Sequence, residues 1–246
     1  MNTKDHLRRQ WAEFAETYIS RTAAGDNVYR DGLLDKWMLE AVGDVAGKRV
    51  IDLGCGEGRF CRMLAERGAV ITGIDLCERF IEHAEAHRIN DEQYHVADME
   101  NLSRFPDGGF DMAVSFVSLV DIMHLEKAVT EAYRLLRTRG RFIACNLQPM
   151  STAGNSWLRD ADGRQIHFIL DNYFDESERI VKMFGKQMTN FHRTLGTYVN
   201  CFLAAGFALE GIREPRPSPE QVANWPDVAD NLRLPYFIIY LLRKRT

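Results

Sequence analysis

Val50-Ile51-Asp52-Leu53-Gly54-Cys55-Gly56-Glu57-Gly58-Arg59-Phe60 decides the fold of this 246-residue chain. An apolar run ends in a carboxylate, glycines follow at alternate positions, and a helical pattern begins. That order reads as a strand, a tight turn and a helix start. Glycines tolerate positive φ and let a ligand lie against the backbone. The helix start offers unpaired N–H groups and partial positive charge, which favour an acidic group on that ligand. The next apolar run, Ala69 to Ile74, ends in Asp75. That acid stands about 20 residues beyond the turn, where a carboxylate accepts both hydroxyls of a ribose. A dinucleotide fingerprint spaces its glycines G-x-G-x-x-G. Here they run G-x-G-x-G, so Gly58 falls one residue early for that fingerprint, and the turn with Asp75 points to a ribose-bearing ligand.

Working outward, apolar segments predict strands at 49–53, 70–74, 93–96, 110–115 and 140–146, with helices at 58–67, 78–87 and 124–137. The last helix carries Leu125, Ala128, Val129, Ala132, Tyr133 and Leu136 at a 3.6 period. Strand–helix alternation implies a parallel sheet covered on both faces. Right-handed crossovers then bring Asp52 to Gly56, Asp75, Asp98 and Ser115 to one sheet edge. Before this unit, residues 3–20 and 30–42 have helical spacing around a polar loop at 22–29. After it, residues 147–193 are too long for a simple connection and too aromatic for a disordered one. They read as an inserted substrate cap, with Asp162-Gly163 turning a hairpin between 155–160 and 164–170. Leu195 to Ala205 reads as a helix stopped by Gly206. A strand at 207–212, a proline-marked loop (Pro215, Pro217, Pro219) and a strand at 236–242 close the chain.

The motifs Asp52-Leu53-Gly54-Cys55-Gly56-Glu57-Gly58, Gly73-Ile74-Asp75-Leu76, Ala97-Asp98-Met99-Glu100, Phe110-Asp111-Met112-Ala113-Val114-Ser115 and Glu131 to Gly140 resemble, in order, those of class I S-adenosylmethionine-dependent methyltransferases. The resemblance covers roughly residues 48–146. It implies an α/β, Rossmann-like, mostly parallel seven-stranded sheet with helices on both faces, an antiparallel terminal hairpin and an inserted cap after strand five. The expected divisions are 1–146 (lid helices and cofactor-binding core), 147–193 (cap) and 194–246 (sheet-closing hairpin). One departure is Thr138-Arg139-Gly140, where the family usually has Pro-Gly-Gly.

The resemblance assigns Asp75 to the ribose diol, Asp98, Met99 and Leu76 to adenine, and Gly54, Gly56 and Ser115 to the methionine end. Asp52 orders the loop, and Tyr18, Tyr29 or Arg30 lies near the methionine. Helix packing alone also accounts for Trp11 and Tyr18, and core packing for Met99. Transfer needs alignment above all, and a base only for a protonated acceptor. His192, Tyr173, His167 and His124 are candidates, His192 first because it joins cap to core, although each also suits a structural or surface place. Asp121, after strand four, is expected near the acceptor.

These features predict a methyltransferase for a small molecule (acceptor atom N, O or C), with S-adenosylmethionine as cofactor and S-adenosylhomocysteine as product. Alternatives are a protein or RNA methyltransferase, a nicotinamide-dependent oxidoreductase and a non-catalytic binding module. The net charge of −4 argues against a nucleic-acid partner. Arg134, Arg137, Arg139 and Arg141 suit a helix C-terminus without one. The five cysteines (55, 61, 77, 145, 201) form no C-x-x-C pair, which suits a reducing cytoplasm. No apolar run is long enough for a membrane span. His83 and His87 share a helix face but lack the His-Glu-x-x-His order, so no metal is expected. A monomer or homodimer is expected.

Overall fold

A computed structural model describes residues 3–245. Met1, Asn2 and Thr246, the outermost residues of the expected divisions, lie outside the described residues. Helix α1 (Thr3–Ala23) is followed by a π-helical turn, Arg30–Leu34, and α2 (Asp35–Val42). The alternating unit is β1 (Arg49–Leu53), α3 (Arg59–Ala65), β2 (Val70–Asp75), α4 (Glu78–Ala86), β3 (Gln93–Val96), β4 (Phe110–Phe116), α5 (Leu125–Leu135) and β5 (Leu136–Leu147). Residues 149–191 hold α6 (Pro149–Ala153) and two hairpins, β6 (Gly154–Arg159) with β7 (Gln165–Leu170), and β8 (Glu178–Met183) with β9 (Lys186–Phe191). The chain ends with α7 (Leu195–Ala204), β10 (Phe207–Arg213), α8 (Pro219–Asn224) and β11 (Phe237–Lys244).

Seven strands form one sheet in the order β10-β11-β5-β4-β1-β2-β3. The five from β5 to β3 run parallel, and β11 and β10 add antiparallel. Alternation along β1 explains the two-sided burial. Val50 packs in one core with Met38, Leu64, Met112 and Ile143. Ile51 and Leu53 point to the other, with Ile74, Ala113, Val129 and Phe142. Each of the larger of these side chains, fully buried, stabilises by about 1.5–3 kcal/mol, so neither face can be left to solvent. The chain reverses direction of travel across the sheet between β1 and β4. The crevice at their C-terminal ends is where ligands bind in such sheets.

The structure shifts several expected boundaries. Helix α5 ends at Leu135, and β5 begins at once. The expected turn at Thr138-Arg139-Gly140 is instead an irregularity inside β5. Arg139 adopts φ 64° there, and pairing with β4 slips between Phe110 and Met112. A Cβ on Gly140 would stand 2.8 Å from the Arg137 carbonyl oxygen, so one glycine is needed at that bend. Three of the four clustered arginines are engaged within the chain. Arg134 bonds Glu131 and Asp107, Arg137 pairs with Asp111, and Arg141 donates to the carbonyls of Ala41 and Val42. The polar loop is shorter than expected, because α1 extends to Ala23. Helix α8 occupies part of the proline-marked loop. Ser218 and Gln221 form its capping box, and Pro219 sits at its first turn, where its missing N–H costs nothing.

Candidate active site

The glycine turn is built from three positive φ values, Gly54 79°, Gly56 55° and Gly58 81°. Gly54 and Cys55 both donate their N–H to the Ile74 carbonyl. Gly56 donates to Asp75 Oδ2 at 2.9 Å, and Cys77 N–H donates to Asp75 Oδ1 at 2.8 Å. Asp75 therefore ties the first glycine turn to the second strand end. Burial pushes its carboxyl up to about 6 against those two bonds.

The turn differs from its sequence reading at the helix start. Glu57 Oε2 accepts the Arg59 N–H at 2.7 Å, so the chain supplies its own anion there. Arg59 and Arg30 both line the recess there; Arg59 is engaged by Asp35 and Asp31, so the cation with a nitrogen to spare is Arg30, carried by the π-helical turn. Its Nη1 donates to Glu57 (3.2 Å) and to the Tyr18 hydroxyl (3.3 Å), while its buried Nη2 has no partner among the described residues. Asp52 is likewise half-satisfied. It is 1% exposed, the Cys61 thiol donates to its Oδ2 at 3.3 Å, and Oδ1 has no partner among the described residues. Burial, with Asp75 and Glu57 nearby, pushes Asp52 up to about 7. Asp52 and Arg30 line one recess with Tyr18, Gly54, Gly56 and Phe116. An unpaired carboxylate oxygen and an unpaired guanidinium nitrogen in one recess match an amino-acid zwitterion. The methionine end of S-adenosylmethionine is such a group, so these residues fit it.

A second pocket continues from this recess and is lined by Tyr18, Gly54, Gly56, Asp75, Leu76, Phe80, Asp98 and Met99. It brings together every expected cofactor residue except Asp52, which lines the recess, and Ser115. Met99 lies so near the turn that a Cβ on Gly54 would stand 3.0 Å from its Cε. Asp98 is occupied by protein donors, Lys4 Nζ at 2.7 Å and the Glu100 N–H at 2.9 Å. Lys4, Leu7 and Trp11 of α1 close the pocket from outside. Ser115 is fully buried and hydrogen-bonds Ser118, 2.7 Å away. Ser118 lines the pocket in its place, donating to the Leu53 carbonyl at 2.6 Å. The strand-end residue named from sequence is one helical step too early.

The expected bases are also corrected. His192 is 1% exposed and lines neither this pocket nor the cavity beside it. The Tyr173 carbonyl, which can only accept, lies 2.8 Å from Nε2, so Nε2 carries the proton. Nδ1 lies 2.6 Å from the Thr152 hydroxyl, within hydrogen-bond distance. With both nitrogens engaged, His192 is a tether. Tyr173 is half-buried, and its hydroxyl accepts the Leu195 N–H at 2.9 Å. His167 is exposed on β7 opposite Leu158, and His124 lies 3.7 Å from Glu126. None of the three lines the pocket or the cavity.

That cavity, of about 690 Å³, adjoins the pocket and shares Trp11, Tyr18, Phe116, Val117 and Asp121 with it. Its far walls come from both hairpins (Arg159, Gln165, Lys182, Phe184, Asn190), from Tyr29 and from Asp227 and Asp230. Val117, at the junction, holds φ 58°, a strained value for a β-branched residue. Sequence reasoning missed the 226–230 wall and Asn190, which carry no motif. It gave Asp121 a place near the acceptor but no role.

A family model described as a methyltransferase domain matches residues 51–144. A solved structure from Listeria monocytogenes, assigned to the S-adenosylmethionine dependent methyltransferases, is 30% identical and superposes with a TM-score of 0.78 over 88% of this chain and 98% of its own. An S-adenosylmethionine dependent methyltransferase from Mesorhizobium loti is 29% identical, with a TM-score of 0.77 over 85% and 96%. A ubiquinone biosynthesis O-methyltransferase from Dechloromonas aromatica is 32% identical over 114 residues, 45% of this chain and 49% of that enzyme. The chain thus spans about half the length of that curated relative. These likenesses, the shifted glycine and the zwitterion recess overturn the nicotinamide alternative. With the sheet order and the ribose-side carboxylate, they make this chain a member of the class I S-adenosylmethionine-dependent methyltransferases.

Proposed function

We propose that the protein transfers a methyl group to a small molecule seated in the cavity that adjoins the cofactor pocket. One observation carries this reading: the two spaces share a wall of Trp11, Tyr18, Phe116, Val117 and Asp121. An acceptor there lies against the methyl-bearing end of the cofactor. Bound S-adenosylmethionine supplies an electrophilic methyl and departs as S-adenosylhomocysteine. The protein's residues hold the rest. Asp75 takes the ribose diol, Leu76 and Met99 the adenine faces, Asp52 the ammonium and Arg30 the carboxylate. Alignment for in-line displacement is the main service required; α1 lines the junction, and the two hairpins wall the cavity beside it. The hairpins at 154–191 thereby serve as the substrate cap expected within 147–193. A cavity walled by segments drawn from across the chain suits a small molecule, whereas a macromolecular acceptor needs an open groove.

The test measures S-adenosylhomocysteine release with a library of small acceptors, against a protein and an RNA fraction. Release with a member of the small-molecule library supports the reading. Release only with the macromolecular fractions contradicts it.

A further inference from the structure

The junction between the two spaces holds one carboxylate, Asp121. It sits on the 3-10 turn after β4 (Leu119–Asp121), and that turn is braced by residues about 70 positions later in the chain. Asn190, 4% exposed on β9, donates its side-chain N–H to Asp121 Oδ1. Arg193, 8% exposed, donates to the carbonyls of Ile122 and Met123 at 2.7 and 2.9 Å. Between them, His192 is tethered to Thr152 and Tyr173. Residues 190–193 therefore fix Asp121 at the junction, and no donor other than Asn190 reaches its carboxylate among the described residues. The other polar groups shared by the two spaces are the Trp11 N–H, a donor only, and the Tyr18 hydroxyl, which already accepts from Arg30.

Resting on the small-molecule reading above, we propose that Asp121 takes the proton of the acceptor, that the acceptor is a phenol, and that Asn190 positions Asp121. A planar ring fits the cavity's aromatic walls, Trp11, Tyr18, Tyr29, Phe116, Phe184 and Phe237. A carboxylate acceptor would be repelled by Asp121, and a thioether or tertiary amine has no proton to lose. The step balances. The phenolic proton passes to the Asp121 carboxylate while the oxygen forms its bond to the methyl carbon. The carbon–sulfur bond breaks with its electron pair kept on sulfur, so the sulfonium charge is neutralised, and Asp121 afterwards releases the proton to water.

Burial, reinforced by the charge of Asp75 on β2, pushes the Asp121 carboxyl up to about 8 in the ligand-free protein, against the bond from Asn190. Tyr18 on α1 and Tyr198 on α7 also face it. A proton affinity in that range approaches that of a phenol, which suits proton transfer. A sulfonium beside the carboxylate would favour its ionised form.

Two measurements test this. An infrared pH titration of ligand-free protein reads the carboxylic acid band directly. A band that titrates near pH 8, is absent in Asp121→Asn and moves to higher pH in Asn190→Ala is expected. Turnover with p-nitrophenol, catechol and a tertiary amine, N,N-dimethylaniline, forms the second arm, with S-adenosylhomocysteine binding measured on every variant. We expect transfer to a phenolic probe, kcat lowered at least about 100-fold in Asp121→Asn, and S-adenosylhomocysteine still bound by that variant. Wild-type kcat in Asp121→Asn, transfer to the tertiary amine alone, or cofactor binding without transfer to either phenol overturns the proposal and leaves the methyltransferase assignment standing. Loss of all S-adenosylhomocysteine binding by the wild type would instead undo the reading on which it rests.

Discussion

Asp75 carries two duties through one carboxylate. It accepts the Gly56 and Cys77 N–H groups, and it faces the pocket where a ribose diol would donate to it. Hydrogen bonds to a charged group contribute about 1.5–3 kcal/mol, so Asp75→Ala should weaken S-adenosylmethionine binding on the order of 100-fold by calorimetry. Wild-type affinity in that variant would remove Asp75 from the site. This residue was legible because a strand-end acid at a fixed distance from a glycine turn follows from backbone geometry. The proton acceptor was not. His192 looked placed for chemistry by its position in the chain, yet whether a side chain opens on a cavity or is locked by Thr152 and Tyr173 depends on contacts 19 and 40 residues away. Ser115 failed for a related reason, since it is fully buried one residue before the strand's end and the pocket begins at Phe116.

At the scale of elements, the first βα turn fixes the pocket's shape. A Cβ on Gly54 would meet Ser118 Cβ at 2.5 Å in addition to its φ of 79°. Gly54→Ala should cost on the order of 2–4 kcal/mol, from the left-handed conformation and the overpacking together. Denaturant unfolding should show the loss, and S-adenosylhomocysteine affinity should fall with it. Unchanged stability and affinity would mean the turn is not under this constraint. Helix α7 offers the contrasting control. Thr194 caps it by accepting the Thr197 N–H at 3.1 Å, so Thr194→Ala should cost about 1 kcal/mol and lower Tm by roughly 2–4 °C while cofactor affinity stays put. The parallel strands were readable as apolar runs buried on both faces, and the first hairpin from Asp162-Gly163. The second hairpin was invisible because its turn is Phe184-Gly185, with φ 46° and 80°. Phenylalanine is a poor residue for that conformation. Its ring packs within 6.4 Å of Phe14 and 6.3 Å of Tyr18, so tertiary contact with α1 offsets a local cost that no short-range pattern reveals.

Across the whole molecule, the three acids around the site give stability a pH dependence. Burial raises Asp52 to about 7, Asp75 to about 6 and Asp121 to about 8, against an unfolded value of about 3.9. The native state therefore binds more protons than the unfolded one between about pH 4 and 8, and this contribution is present at low pH and lost as pH rises through the folded values. His83 and His95, shifted down chiefly by burial, slope the other way, so the wild type must be compared with a variant. Asp52→Asn should flatten the fall in ligand-free Tm between pH 5.5 and 8.5, and an unchanged slope would show that Asp52 is not a buried acid. No helix among the described residues is long and apolar enough to cross a membrane. The cavity joins α1, the π-helical turn, the hairpins and the 226–230 segment, distant stretches that only the fold assembles, which is why the cofactor and the existence of a cap were readable while most of the residues walling the acceptor were not.

The most direct measurement is a crystal structure of the S-adenosylhomocysteine complex. The account predicts the ribose on Asp75, the methionine carboxylate on Arg30, and the sulfur at the junction of Tyr18, Phe116, Val117 and Asp121, facing the cavity. A sulfur turned toward bulk solvent, or a ribose away from Asp75, would contradict it.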